Sequence, residues 1–235
     1  MTISIGGMIK TTLVDYPARV ATSIFLQGCN YRCGFCHNPG LVLPGPAPDP
    51  VDPEAVLSLL RRRQGLVDGL CISGGEPLMQ AGLGAFLRRV KVETGMAVKL
   101  DTNGSFPGRL ARLLDEQLVD FVALDIKAPP ALYGAATGIC GVDHRTVGES
   151  AALLRARPVD FELRTTAVPG LAGREQLKEI CRWVGGSGSY VLQRFRPDVT
   201  LDPASTALLP FPCEELDQLA GFCAPHFDTV LVRGC

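Results

Sequence analysis

No stretch of this 235-residue chain reaches the roughly eighteen consecutive apolar residues that a membrane-crossing helix needs. The N-terminus lacks a basic segment followed by a hydrophobic run and a small-residue cleavage site. A soluble, cytoplasmic protein without an export signal and without a membrane partner is therefore expected. Neither sign of charge is in excess: 23 Lys and Arg against 24 Asp and Glu leave a formal net charge of −1. That balance offers no basic footprint, so no nucleic-acid partner is expected. Internal repeats and an interdomain linker are also missing. Cysteine is present but sparse and odd in number, at nine residues, which argues against a disulfide scaffold. Reduced thiols, some of them metal ligands, fit better.

What is present is a regular alternation. Segments 21–27, 68–74, 97–103, 119–127, 159–168 and 189–195 read as strands whose apolar cores suit a sheet covered on both faces. Between them, 52–63 has an Asp-Pro helix start, and Met79, Leu83, Phe86, Leu87 and Val90 form one stripe at helical spacing. Leu177, Ile180 and Val184 repeat that pattern, and shorter helices are expected near 107–116 and 146–156. Residues 1–20 read as a short strand or hairpin, 38–53 as a Pro- and Gly-rich surface loop, and 196–210 as irregular. A helix over 212–222 and a strand within 226–233 follow. The whole is an α/β chain with right-handed crossovers, either a doubly wound open sheet or an incomplete barrel. Both place functional loops at the C-terminal ends of the strands.

The sharpest local feature is QGCNYRCGFCHNPG, residues 27–40, where Cys29, Cys33 and Cys36 form C-x3-C-x2-C. A structural zinc site wants four ligands; His37 directly follows Cys36, which makes closing the same tetrahedron awkward. A thioredoxin-like pair explains Cys33 and Cys36 but leaves Cys29 over. A cubane iron-sulfur cluster usually takes four thiolates, and three leave one iron able to accept an outside ligand. Cys71 and Cys181 read as buried small hydrophobes, and Cys213, Cys223 and Cys235 as loose thiols.

The triplet resembles the signature of radical S-adenosylmethionine (SAM) enzymes. The resemblance implies one [4Fe-4S] cluster on Cys29, Cys33 and Cys36 and SAM chelated at the open iron. One-electron cleavage then gives methionine and a 5′-deoxyadenosyl radical. It also implies a partial (β/α)6 TIM-like barrel over 21–200, with an N-terminal extension over 1–20 and a C-terminal extension over 201–235.

Other strand ends extend the match. SGGEP (73–77) puts Gly74, Gly75 and Glu76 after the second strand, where glycines permit close backbone approach and a carboxylate can pair with an ammonium. DTNG (101–104) and DIK (125–127) end the next two strands. Two carboxylates there, Asp101 and Asp125, need a compensating cation: Lys127, the SAM sulfonium or a bound metal ion.

These stretches resemble the activating enzymes of glycyl radical enzymes. That resemblance implies SAM contacts at Gly74, Gly75, Glu76, Thr102, Asn103, Asp125 and Lys127. It implies a monovalent-cation site at Asp101, Thr102, Asp125 and the Ala123 carbonyl. Arg164 can engage the SAM carboxylate or instead pair with Glu162 or a neighbouring strand, and Gln193 can touch the adenosine. Asp15, in the lead-in TTLVDYPARVATSIFLQGC, matches a residue near the bound glycyl peptide. The family continues with Pro-Gly where this chain has Pro17-Ala18. Within the group, LVDYP and LQRFRP look most like the anaerobic ribonucleoside-triphosphate reductase activating proteins. Residues 37–70 contain no cysteine, so a second cluster is not expected.

The implied activity is hydrogen abstraction from a glycine Cα of a partner glycyl radical enzyme, with flavodoxin or ferredoxin as electron donor. No general base is required. The rival readings are a radical SAM enzyme acting on a small molecule or modified nucleobase, and a non-enzymatic electron-transfer or metal-binding protein.

Overall fold

Local chemistry explains where the elements begin. Asp52 accepts a hydrogen bond from the Glu54 amide at 3.0 Å and Pro53 takes the first helical position, so the first long helix starts there. Gly95, with φ of 66°, ends the next one. The computed structural model describes residues 3–42 and 49–235. Residues 43–48 of the expected surface loop and residues 1–2 of the expected lead-in lie outside the described residues.

The chain forms two compact units. The first comprises Met1–Asn30, Gly40–Thr102 and Gly108–Val122; the second comprises Tyr31–Pro39, Asn103–Pro107 and Ala123–Cys235. In chain order the elements begin with β1 (Ile5–Thr12), β2 (Ala21–Leu26), α1 (Pro39–Val42), α2 (Pro53–Arg62) and β3 (Gly69–Gly74). They continue with α3 (Leu83–Thr94), β4 (Ala97–Thr102), α4 (Pro107–Asp115) and β5 (Phe121–Asp125). The remainder are α5 (Tyr133–Thr137), α6 (Arg145–Arg155), β6 (Asp160–Ala167), α7 (Arg174–Val184), β7 (Ser189–Arg194), α8 (Cys213–Cys223) and β8 (Thr229–Arg233).

In the first unit β1 runs antiparallel to β2, while β2, β3 and β4 are parallel. Ile24, Leu26, Leu70, Ile72, Val98 and Leu100 are buried, and the faces of α2 and α3 close over apolar surface through Val56, Leu57, Leu60, Phe86, Leu87 and Val90. In the second unit β6, β7 and β8 are parallel. Leu163, Tyr190 and Leu192 are buried there, as are Val147, Leu154, Leu177, Ile180 and Val184 from α6 and α7. At about 25 cal/mol per Å², each such side chain contributes roughly 1.5–3 kcal/mol before entropy is counted.

Strand order follows chain order, β1 through β8. A doubly wound sheet reverses its order at a switch point; this one does not. The expected choice between open sheet and barrel is thereby resolved as an α/β sheet of partial-barrel type.

The six expected central strands form, with ends shifted by one or two residues. Four expectations need correction. Met79 does not continue the α3 stripe: Pro77 and the Glu76 cap close a separate 3-10 turn over Pro77–Met79, leaving Met79 39% exposed, and the helix starts at Leu83. Part of the expected loop is the turn α1, whose Val42 side chain is buried. The small-residue helix α5 was not anticipated, since YGAAT carries no apolar stripe beyond Tyr133. Finally, Cys213 and Cys235 are not loose thiols: α8 and the chain beyond β8 bring their Cα atoms to 5.6 Å and they form a disulfide. Cys223 is not disulfide-bonded and is fully buried.

Candidate cofactor site

The loop after β2 carries the cysteine triplet, with Cys29 in the first unit and Cys33 and Cys36 in the second. Each part is held by main-chain hydrogen bonds within its own unit. In the first, the Gly28 amide donates to the Leu41 carbonyl at 2.7 Å and the Cys29 amide to the Val42 carbonyl at 3.2 Å. The unexpected turn α1 is thus the anchor of the first cysteine. Behind the loop, the Glu76 amide donates to the Gly28 carbonyl at 2.8 Å, and the Gly75 amide to the Leu26 carbonyl at 2.8 Å.

That packing assigns Gly74 and Gly75 a definite task. Gly74 has φ of 119°, and a Cβ there would stand 2.8 Å from the Phe25 carbonyl carbon. A Cβ on Gly75 would stand 2.5 Å from the Gly28 carbonyl carbon. Close approach of backbone to a bound ligand was expected at these glycines; within the chain, the backbone they admit is that of β2 and of the cysteine loop. Glu76 is fully buried, and its Oε1 accepts from the Leu78 amide at 2.9 Å and from Thr102 Oγ1 at 2.7 Å. Asp101 is ion-paired with Lys99, itself buried. Lys127, the SAM cation or a metal ion was expected to offset Asp101 and Asp125; Lys99, which meets Asp101, was not anticipated. The i, i+2 spacing on one strand face could have revealed this partner. In the same unit, Ser23 Oγ donates to Asp15 Oδ2 at 2.5 Å. Ala18 has φ of 57°, in the left-handed region that favours glycine.

In the second unit, the Arg32 amide donates to the Thr137 carbonyl of α5 at 2.7 Å and the Cys36 amide to the Cys33 carbonyl at 3.0 Å. The Gly34 carbonyl accepts from the Asp202 amide at 2.9 Å. Asp125 sits between two cations, with Arg164 Nε donating at 2.8 Å and Lys127 Nζ at 3.0 Å. Burial alone would raise the Asp125 pKa, but Arg164 and Lys127 outweigh it and hold the carboxyl well below the usual carboxylate range. Burial likewise opposes the charge on Lys127, yet Asp125, then Cys33, then Cys36 drive its pKa upward. Arg164 therefore takes the neighbouring-strand ion pair that was one of its two expected roles. The Asn103 side chain accepts from the Ser105 amide at 3.0 Å, closing an Asx turn. Gln193 lies half-buried near the end of β7, opposite Thr166 on β6. Ala123 is buried in β5. His37 packs against Phe195 with ring centroids 6.1 Å apart, and burial followed by the Arg196 charge lowers its pKa.

Among the described residues, no three His, Cys, Asp or Glu side chains converge as the ligands of one metal ion. The donor chemistry of the triplet nonetheless suits a thiolate-ligated cluster. Three cysteines share one anchored loop, and the Lys127 ammonium lies close enough to Cys33 and Cys36 to feel their thiolate charge. Among the described residues, no helix is long and apolar enough to cross a membrane.

Residues 23–184 match the Radical SAM superfamily model. The chain belongs to the radical SAM superfamily, an enzyme family of oxidoreductases. Within it, the chain falls in the group that resembles glycyl-radical-enzyme activases. It is 30% identical over 234 residues to MJ1227 of Methanocaldococcus jannaschii, named as a candidate glycyl-radical enzyme activating enzyme, covering 97% of this chain and 95% of that one. It is 34% identical over 120 residues to the pyruvate formate-lyase-activating enzyme of Clostridium pasteurianum, covering 49% of this chain and 48% of the other. Among solved structures, Streptococcus suis SuiB bound to S-adenosylmethionine aligns with a TM-score of 0.67 at 15% identity, over 89% of this chain and 49% of SuiB. This chain thus spans about half of SuiB, and that likeness concerns the fold.

Proposed function

We propose that this protein is a radical SAM activase that abstracts a hydrogen atom from a glycine Cα of a partner glycyl radical enzyme, specifically an anaerobic ribonucleoside-triphosphate reductase. The observation that carries this reading is the near end-to-end similarity to MJ1227 in a chain that also holds the complete Cys29, Cys33, Cys36 triplet. The LVDYP and LQRFRP stretches support the reductase activase among the possible partners. The radical SAM core spans 21–200, flanked by the extensions 1–20 and 201–235.

Cys29, Cys33 and Cys36 hold one [4Fe-4S] cluster. When bound, that cluster supplies the electron, received from flavodoxin or ferredoxin, that cleaves SAM to the hydrogen-abstracting radical. Lys127 sets a positive charge beside Cys33 and Cys36 and offsets their thiolate charge. Asp125, kept ionised by Arg164 and Lys127, presents a carboxylate to the SAM cation. Gly74 and Gly75 admit the cysteine loop onto β3, and Glu76 stiffens the turn beyond it. Thr102, Asn103 and Gln193 complete the SAM contacts. Asp15 faces the glycyl peptide.

The test is anaerobic reconstitution with iron and sulfide, reduction, and co-incubation with SAM and the purified reductase. A glycyl-radical EPR doublet in the reductase, equimolar 5′-deoxyadenosine, and loss of both with Cys33→Ala but not Cys223→Ala are expected. Release of 5′-deoxyadenosine on a metabolite, with no protein radical, refutes the activase reading.

A further inference from the structure

A chain of alternating charges crosses the second unit, and part of it lies outside every role described above. Lys127 pairs with Asp125, which pairs with Arg164; Arg164 Nη1 lies 4.0 Å from Glu162 Oε1. Glu162 is then gripped from β8, with Arg233 Nη1 and Nη2 donating to its two carboxylate oxygens at 2.7 Å each. The Glu162 side chain is 3% exposed and that of Arg233 is 37% exposed. Removing the two-pronged partner of a buried carboxylate of this kind leaves a buried charge unpaired, which is strongly destabilising.

Register places the same residues on one surface. Arg164 lies opposite Val191, Thr166 opposite Gln193, and Gln193 opposite Arg233. Residues directly opposite, and residues two apart on one strand, share a face. Glu162, Arg164, Gln193 and Arg233 therefore stand on one face of β6, β7 and β8, the face that carries the candidate SAM residues Arg164 and Gln193.

We infer that Arg233, acting through Glu162, is a positioning residue for Arg164 and hence for the Asp125 and Lys127 pair beside the cysteine loop. This rests on the SAM-dependent reading above. The physical argument is competition for one guanidinium. With Arg233 in place, Glu162 is neutralised and Arg164 Nε remains on Asp125. Without it, Glu162 is a buried anion, the other cation within 4.0 Å among the described residues is Arg164, and Glu162 draws that side chain away from Asp125. Of its two described cation partners Asp125 then keeps Lys127, and the SAM-facing charges are displaced together.

The experiment is a charge-pair cycle on anaerobically reconstituted protein, reading iron content, SAM affinity by equilibrium dialysis, and the SAM-induced change in the reduced cluster's EPR spectrum. Arg233→Met is expected to keep its iron but bind SAM about tenfold more weakly, within the coupling range of a contacting charged network. Glu162→Gln/Arg233→Met removes the competing anion as well and is expected to return SAM affinity to within about threefold of wild type. A general packing role for Arg233 predicts no such rescue. If Arg233→Met fails to fold, Arg233→Lys and the double variant decide between the same outcomes. Wild-type affinity in Arg233→Met, or a double variant no better than the single one, overturns the inference while leaving the enzyme class intact. Wild-type protein that binds no SAM overturns the underlying reading and this one with it.

Discussion

Replacing Gly75 by alanine tests how the structure holds the cysteine loop. The added methyl would stand 2.5 Å from the Gly28 carbonyl carbon and 3.2 Å from the Cys29 amide nitrogen. Carbon pairs settle at about 3.5–4.0 Å, so roughly 1 Å of movement is demanded. Both obstructing atoms are main chain, and no rotamer change relieves them. Shifting Gly28 breaks the hydrogen bond from the Glu76 amide, 2.8 Å long, and disturbs the one from the Gly28 amide to Leu41, 2.7 Å long. One lost hydrogen bond costs about 1 kcal/mol and overpacking about 1–3 kcal/mol, so a destabilisation of about 3 kcal/mol is expected. That is a large share of a typical total of about 5–15 kcal/mol. Gly108→Ala is the matched control: it lies in the first turn of α4, a Cβ there meets nothing within 4 Å, and a gain of a few tenths up to about 1 kcal/mol is expected. The assay is urea unfolding of both variants together with iron content after anaerobic reconstitution. Should Gly75→Ala unfold within about 1 kcal/mol of wild type and take up full iron, the close-approach argument is wrong.

Two other predictions address departures from expectation. Ala18 occupies the left-handed region at a strain of about 1–2 kcal/mol, partly offset by the chain entropy glycine loses, so Ala18→Gly is expected to gain up to about 1 kcal/mol in denaturant unfolding; a loss of stability would contradict the backbone assignment. The Cys213–Cys235 disulfide closes a separation of 22 residues, so Cys213→Ser is expected to cost about 3 kcal/mol in the oxidised protein. Reductant should lower the wild-type melting temperature to that of the variant, and a melting temperature indifferent to reductant would show that the bridge is absent in solution.

Much of the architecture is legible from periodicity, because parallel strands covered on both faces must be apolar runs and their helices must carry one apolar stripe. The elements that escape this reading have weak patterns. α5 is built of small residues, and the Met79 stripe is interrupted by Pro77, a local stop signal that side-chain spacing ignores. At the candidate site, residue types and their order at successive strand ends could be read directly, while their partners could not. Lys99 and Asp101 are two apart on one strand and were within reach of a parity argument.

From sequence alone came the cysteine triplet, the alternation of strands and helices, and the placement of glycines and carboxylates after successive strands. These follow from spacing, periodicity and turn chemistry, which are local. Tertiary structure alone decided that the strands follow chain order, that Cys213 meets Cys235, and that Arg233 reaches Glu162 across 71 positions. Such partners are chosen by which side chains the folded sheet brings to one face, where desolvation makes an unpaired buried charge too costly to leave alone.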